Sequence, residues 1–165
     1  GAVIEMHTEQ ELGPYALGLT RSLALNGRTI RSAVALKNTG KRPIPIRWFP
    51  HPFYPQTATD ELCRFNIPVS FPENDGFELA ASGFVARKNW PNWQKGYYQA
   101  LTHDAHSDLV ILQKHPVVGL VAATCSYIPN FFPIWGNANT FSWEPFLERT
   151  LAPGQETDWY IDYEF

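Results

Sequence analysis

The sequence has little of what marks several large classes of protein. Its two cysteines, Cys63 and Cys125, are too few for a disulfide framework, and their spacing fits no zinc knuckle. No apolar run approaches the roughly 20 residues that a membrane span needs, and no glycine-rich phosphate loop or Gly-x-Ser-x-Gly motif is present. The net charge is only −3, with both signs interspersed, so neither nucleic acid nor a membrane is an expected partner. We expect two free, buried thiols and a cytoplasmic location.

Aromatic residues, prolines and glycines are what the sequence has in quantity. Aromatics make up 15% of the chain, and there are 14 prolines and 11 glycines. Proline fits neither a helix interior nor a central strand ladder, so this composition predicts short extended segments joined by turns. Aromatic side chains suit strands and also provide flat faces on which sugar rings can stack.

Alternation of apolar and polar residues between turn signals predicts an all-β chain. Residues 21–25 and 28–37 read as two strands joined by Asn26-Gly27, a strong hairpin signal, and residues 157–165 as a final strand. Residues 43–55 are predicted to be irregular, and residues 89–99 to form a loop. Further strands are predicted at residues 2–6, 62–69, 77–85, 109–113, 117–126, 131–135 and 141–144. About ten short strands without helical periodicity favour an antiparallel β-sandwich in one domain, residues 1–165.

Two residues are candidates for acid–base chemistry. His51 lies between two prolines that stiffen the backbone, in an aromatic segment, and an imidazole there could transfer a proton near neutral pH. Alternatively, it only makes hydrogen bonds within an aromatic cluster, which the local sequence alone favours. Glu144 lies in the aromatic run Phe-Ser-Trp-Glu-Pro-Phe, where burial would raise its pKa and make it a useful base. Its alternative is a carboxylate at a strand end that faces solvent.

Two further groups carry weaker signals. In the segment from His103 to Asp108, alternate positions of a strand would put Asp104, His106 and Asp108 on one face, as metal ligands could be. Because the segment is polar throughout, a solvated loop is the favoured interpretation and no metal is predicted. A set of tryptophans could stack on sugar rings, although most of them are expected in the core: Trp48, Trp90, Trp93, Trp135 and Trp143.

Six short motifs together are more specific than any one of them. They are Leu25-Asn-Gly-Arg-Thr-Ile, Leu36-Lys-Asn-Thr-Gly, Ile44-Pro-Ile-Arg-Trp-Phe-Pro-His-Pro-Phe, Trp135-Gly-Asn, Trp143-Glu-Pro and Leu151-Ala-Pro-Gly-Gln. In order and spacing this set resembles the aldose 1-epimerase, or galactose mutarotase-like, family. The resemblance covers nearly the whole chain but only the C-terminal part of the family's fold. It implies a partial galactose mutarotase-like supersandwich and a C-terminal portion of a longer protein.

The resemblance also implies a site and a reaction. His51 corresponds to the general acid that protonates the ring oxygen of a sugar, and Glu144 to the general base that takes the proton of the anomeric hydroxyl. The chemistry needs no cofactor. The two groups are expected to face one cleft, separated by about the width of a sugar and lined by at least one tryptophan. Sugar contacts are expected from Arg47, Trp48, Trp93, Gln94, Trp135 and Asn137.

One departure from the family keeps other functions open. Members usually carry an aspartate that holds sugar hydroxyls, whereas the matching segment, Trp93-Gln-Lys-Gly-Tyr, has no acidic residue and offers only Gln94. The joint presence of His51 and Glu144 nevertheless makes a sugar mutarotase the leading hypothesis. The alternatives are a catalytically silent carbohydrate-binding module and an accessory β-sandwich of a larger carbohydrate-active enzyme. Exposed sheet edges would also favour a homodimer.

Overall fold

The computed structural model describes all residues from Gly1 to Phe165 and confirms the all-β, antiparallel architecture. One 3₁₀ turn, Trp93–Lys95, interrupts a series of sixteen strands. In chain order the strands are β1 (Ala2–Leu12), β2 (Tyr15–Asn26), β3 (Thr29–Asn38), β4 (Ile44–Trp48), β5 (Tyr54–Pro55), β6 (Glu61–Phe65), β7 (Val69–Ser70), β8 (Phe77–Leu79), β9 (Val85–Arg87), β10 (Tyr97–His103), β11 (Val110–His115), β12 (Gly119–Cys125), β13 (Phe132–Gly136), β14 (Thr140–Trp143), β15 (Leu147–Leu151) and β16 (Glu156–Glu164).

The strands form three antiparallel sheets. The largest has nine strands in the order β1-β2-β3-β16-β12-β11-β6-β9-β8, the second has five in the order β5-β14-β13-β10-β7, and β15 pairs with β4. The two large sheets supply most of the buried apolar residues of one core, as a sandwich requires. On β16 the expected alternation holds, since Trp159 and Ile161 are buried whereas Asp158 and Glu164 are exposed.

The β2–β3 hairpin shows how a local signal sets a register. Its two loop residues are Gly27 and Arg28, because Asn26 pairs with Thr29. Gly27 has a φ of 60° and no residue other than glycine has a positive φ, which fits a turn that needs glycine at its first central position. The hairpin is therefore the predicted one, with its loop moved by one residue.

Three sequence expectations are corrected by the pairing. Residues 62–69 are two strands in different sheets, β6 and β7, because Pro68 lacks the N–H that would continue the ladder. Residues 77–85 turn back at Gly83, whose φ is 81°, so they form the β8–β9 hairpin instead of one strand. The segment predicted to be irregular contains β4, which pairs along its whole length with β15.

Two of the motifs that carry the family resemblance brace each other. The Asn38 side chain is fully buried and donates to the carbonyl oxygens of Leu151 and Arg42, both at 2.8 Å. Its Oδ1 accepts the N–H of Gly40 at 3.0 Å, and its backbone carbonyl accepts the N–H of Gly154. The hydrogen bonds of Asn38 thus connect the turn after β3 to the turn before β16. This connection explains why the first of these turns needs an asparagine at position 38.

Two remaining features are the state of the cysteines and the absence of a membrane-spanning helix. Cys63 and Cys125 are free and buried, as expected. Burial raises the pKa of the Cys125 thiol to about 12 and that of Cys63 well above its usual value. The structure has no helix of the length and apolar character needed to span a membrane.

Candidate functional site

The five-stranded sheet has one face in the core, and its other face carries Glu144 together with aromatic side chains. On β14, Phe141 and Trp143 are buried in the core, so Ser142 and the following Glu144 point the opposite way. Ser142 is paired with Trp135 on β13, and Trp135 is paired with Tyr98 on β10. Directly paired residues of an antiparallel sheet share a face. These strands therefore collect Glu144, Trp135 and Tyr98 on one surface.

His51 reaches this surface from the loop between β4 and β5. Its ring stacks on Phe53 at a centroid distance of 4.3 Å and meets Trp135 edge-on at 6.0 Å. His51 Nε2 lies 3.2 Å from Glu144 Oε1. The structure thus brings the two candidate acid–base residues together beside a tryptophan.

The expected separation of these two groups by the width of a sugar is wrong, since they lie 3.2 Å apart. The loop that carries His51 is short, and both of its ends are held. At one end Trp48 pairs with Leu147, and at the other Tyr54 pairs with Phe141 of β14. Because β5 and β14 are neighbours, the loop places the imidazole directly over the end of β14, within contact of Glu144.

Burial differs between the two partners and sets their electrostatics. The Glu144 side chain is 9% exposed and that of His51 is 37% exposed. Burial disfavours the charged carboxylate and raises the pKa of Glu144, while the neighbouring His51 acts in the opposite direction. Glu144 has no other ion-pair partner. The arrangement is a shielded carboxylate in contact with an imidazole that solvent reaches.

Two aromatic residues of this surface were missed by the sequence interpretation. Tyr98, 52% exposed, lies close enough to Glu144 and Arg47 for both to affect its pKa. Burial raises that pKa first, Glu144 raises it further, and Arg47 lowers it. Phe53, 62% exposed, stacks on His51. Tyr98 was missed because residues 89–99 were read as a loop, although alternation from Tyr97 onward marks β10.

Three of the predicted sugar-contact residues belong to β4 and β13, and they do not share a role. Trp135 lines the surface, as described. Arg47 forms an ion pair with Glu148 at 3.0 Å, and its guanidinium lies over the Phe146 ring at 4.7 Å. Trp48 points the other way from Arg47, because neighbouring residues of a strand alternate, and packs edge-on against Trp159 at 5.3 Å. Trp48 is half-buried and packs against the core.

The other three predicted sugar-contact residues lie in turns. Trp93 packs against Phe77 and Trp90, and its Nε1 donates to the Lys88 carbonyl at 3.1 Å. Gln94 is an exposed residue of the same 3₁₀ turn. Asn137 Oδ1 accepts the backbone N–H groups of Asn139 and Thr140, which orders the turn between β13 and β14. None of these three has a recorded contact with His51 or Glu144.

The histidine- and aspartate-rich segment after β10 is exposed. His106 Nε2 lies 2.9 Å from Asp104 Oδ1, and the two side chains are 84% and 85% exposed. No three histidine, cysteine or acidic side chains come together in the structure as a metal site would require.

Solved structures share this arrangement of strands. The galactose mutarotase related enzyme from Lactobacillus acidophilus superposes with a TM-score of 0.69 at 11% identity, over 98% of this chain and 67% of that one. A galactose mutarotase-like protein from Clostridium acetobutylicum gives 0.64 at 11% identity, over 98% of this chain and 61% of its own. The chain has the galactose mutarotase-like fold. A protein from Synechocystis sp. PCC 6803 matches it as well, at 0.66 and 14% identity, over 99% of this chain and 61% of its own.

The likeness is one of fold, with limits in sequence and length. No protein-family model matches the sequence, and no curated protein matches it either. The chain spans 61–67% of the length of these structural neighbours. Because identity is 11–14%, the neighbours establish the architecture, and the chemistry must be argued from the residues of this chain.

Proposed function

We propose that the intact protein is an aldose 1-epimerase-like isomerase that interconverts the anomers of a free sugar. The observation that carries this proposal is the contact of His51 with the shielded Glu144, 3.2 Å apart on an aromatic surface. Anomer exchange needs one acid and one base, each with a pKa within reach of neutrality, and no cofactor. A buried carboxylate with a raised pKa next to an imidazole meets that need.

The proposed reaction balances through these two groups. Glu144, as carboxylate, takes the proton of the anomeric hydroxyl while His51, as imidazolium, protonates the ring oxygen. The bond from the anomeric carbon to the ring oxygen breaks and leaves the open-chain aldehyde. Rotation about the C1–C2 bond presents the other face of the carbonyl, and the reverse proton transfers close the ring as the other anomer. Both side chains end the cycle as they began it.

The direct contact of His51 with Glu144 fits this cycle. Burial raises the pKa of Glu144, and the contact with His51 acts against that rise and so favours the carboxylate with which the reaction starts. A sugar must then enter between the two groups. His51 lies outside any strand, whereas Glu144 is held by its backbone N–H to the Pro133 carbonyl at 2.9 Å. We expect the loop of His51 to make the adjustment.

Sugar recognition is proposed to use the aromatic side chains around the pair. Trp135 and Phe53 offer ring faces for stacking, and their rings meet at right angles 6.3 Å apart. Tyr98, an exposed residue near Glu144, supplies the hydroxyl that would hold a sugar hydroxyl in place of the family's aspartate. The proposal places the reaction in the cytoplasm, where the free thiols of Cys63 and Cys125 would stay reduced.

Polarimetry on freshly dissolved α-D-glucose and α-D-galactose tests the proposal. His51→Asn and Glu144→Gln, made in the intact protein, should each slow enzyme-catalysed exchange by roughly 10²-fold or more, the usual scale for the loss of a general acid or base. Sugar affinity, followed by tryptophan fluorescence, should change much less. His7→Asn and Glu156→Gln, at exposed positions on other strands, are the matched controls and should exchange at the wild-type rate.

A catalytically silent carbohydrate-binding domain is the second candidate. It is favoured by the Trp93-Gln-Lys-Gly-Tyr segment, which has no acidic residue to hold a substrate, and by the His51–Glu144 contact, which a purely structural role would also explain. In that case the protein would bind sugars through Trp135 and its neighbours but would leave the polarimetric rate at the level of the buffer. Saturable binding without any acceleration would establish this second function over the first.

A further inference from the structure

A cavity of about 550 Å³ opens at the end of β9, and none of its lining residues belongs to the site described above. This volume lies within the range of small-ligand sites. Polar and charged side chains dominate the lining, together with one tryptophan and one alanine: Gln56, Asp60, Arg87, Lys88, Asn89, Trp93 and Ala138.

Arg87 is the unusual member of this lining. It is only 7% exposed, yet no acidic side chain lies within ion-pair distance of it. Among its guanidinium nitrogens only Nη2 has a protein acceptor, the Thr140 carbonyl at 2.8 Å, while Nε is buried without a partner. The guanidinium carbon lies 4.9 Å from the centroid of the Trp93 ring. A buried charge without a counter-ion is costly unless something else completes it.

The charges around the cavity favour an anion. Burial lowers the pKa of Arg87, and the one acidic group that acts on it, Asp60, raises it less than burial lowers it. Lys88 adds a second cation to the lining, although its ammonium group also binds Glu73 and the Asn74 carbonyl. Arg87 therefore remains a cation whose charge the protein compensates incompletely.

An acceptor without a partner lies in the same lining. Gln56 Oε1 is buried and has no hydrogen-bond donor in the protein. Buried polar atoms are nearly always paired, so an orphaned acceptor and an orphaned donor among the residues of one lining point to a bound group that supplies both functions. An anion that also carries a hydroxyl would do so, since its charged oxygens accept from Arg87 and its hydroxyl donates to Gln56.

We propose that this cavity is a binding site for a small hydroxylated oxyanion, a hydrogen phosphate group or a hydroxycarboxylate, held by Arg87. The site does not share residues with the His51–Glu144 surface and does not depend on the function proposed for it. Asp60 opposes the ligand's charge and keeps the affinity modest. Trp93, in contact with the guanidinium, provides an optical reporter.

Titration of the intact protein with inorganic phosphate, glycolate and acetate at constant ionic strength tests the site. One saturable site per chain is expected for phosphate or glycolate by calorimetry and by tryptophan fluorescence, with acetate weaker because it lacks the hydroxyl. Phosphate alone or glycolate alone would identify which oxyanion fits. Arg87→Gln should weaken binding roughly 10- to 100-fold, the scale for losing a charged hydrogen bond. Arg21→Gln, which removes an exposed charge from β2, should leave it unchanged.

If Arg87→Gln fails to fold, Asp60→Asn still tests the proposal. Removal of the opposing carboxylate should tighten anion binding by about twofold or more, a gain that a purely structural role for Asp60 would not produce. Lys88→Gln should weaken binding. The proposal is overturned by the lack of saturable binding for both phosphate and glycolate. Saturable binding that is the same in wild type, Asp60→Asn and Lys88→Gln would overturn it as well.

Discussion

Two histidine–glutamate pairs occur in this chain, in regions of opposite character. His51 Nε2 lies 3.2 Å from Glu144 at the five-stranded sheet, and His7 Nε2 lies 3.5 Å from Glu9 on β1. The side chains of the first pair are 37% and 9% exposed, and those of the second are 59% and 79% exposed. All residues of β1 are exposed, whereas all of β14 except Thr140 are buried.

The difference shows that burial, and not proximity, distinguishes a candidate acid–base pair. An imidazole near a carboxylate in water gains little from the contact and keeps ordinary chemistry. In the pair at the end of a buried strand, burial raises the pKa of the carboxylate. The aromatic rings next to it provide the surface proposed for sugar stacking. The exposed His7–Glu9 pair is thus an internal control for the His51–Glu144 pair.

The largest expected difference between the two regions is in stability. Trp48→Ala should lower the free energy of unfolding by about 3 kcal/mol, because Trp48 packs against the core beside Trp159. Met6→Ala, on exposed β1, should change it by no more than about 0.5 kcal/mol. Urea denaturation measures both. If Trp48→Ala weakened sugar binding without loss of stability, Trp48 would be a sugar-contact residue and this stability argument would be wrong.

The pH dependence of stability should separate the two carboxylates. The pKa of Glu144 is raised above its usual 4.5 in the folded protein, so the folded state holds this proton more tightly than the unfolded chain does. The group therefore contributes stability that is fully present below about pH 4.5 and is lost as pH rises through the folded pKa. Glu144→Gln should remove this loss in urea melts across that window, with Glu9→Gln as the matched control. A Glu144→Gln curve parallel to wild type would contradict the burial argument.

Two exposed tyrosines sharpen the comparison at the level of sugar recognition. Tyr98→Phe should weaken sugar affinity by roughly 2- to 10-fold, the scale of one net hydrogen bond. Tyr15→Phe, 46% exposed at the start of β2, should have no effect. Fluorescence titration with galactose measures both. Equal affinities for wild type and Tyr98→Phe would exclude this tyrosine as the substitute for the family's aspartate.

The smallest effect concerns association through β1, which forms one edge of the nine-stranded sheet. An unpaired edge of 11 exposed residues can add a second copy, and we propose a weak homodimer through it. Antiparallel pairing of two copies about His7 would set Glu5 opposite Glu9, so salt should strengthen the association. Sedimentation velocity at low and high ionic strength measures it. A monomer at every concentration and salt level would refute this edge contact.

Local patterns predicted the parts of the fold that depend on neighbours in sequence. The Asn26-Gly27 hairpin and the alternation of the final strand are set by turn chemistry and by one buried face, so both could be recognised. The division of residues 62–69 between two sheets depends on long-range pairing, which no local pattern records.

The site was predicted in its residue types better than in its geometry. His51 and Glu144 stand out because a proline-bracketed histidine and a glutamate in an aromatic run are unusual. Their 3.2 Å contact depends on β5 lying next to β14. The orientation of Trp48 follows from the register of β4 with β15, in a segment predicted to be irregular. Tyr98 required recognition of β10, which begins inside the predicted loop.

The exchange rates of His51→Asn, Glu144→Gln and the double variant, measured by NMR on a mixture of anomers, test the central claim most directly. Acid and base acting in one step are expected to be non-additive. Each single variant should lose roughly 10²-fold or more of the catalysed rate, and the double variant should be about as slow as the slower single one. The same changes at His7 and Glu9 should cost nothing. Wild-type exchange rates in both His51→Asn and Glu144→Gln would contradict the account.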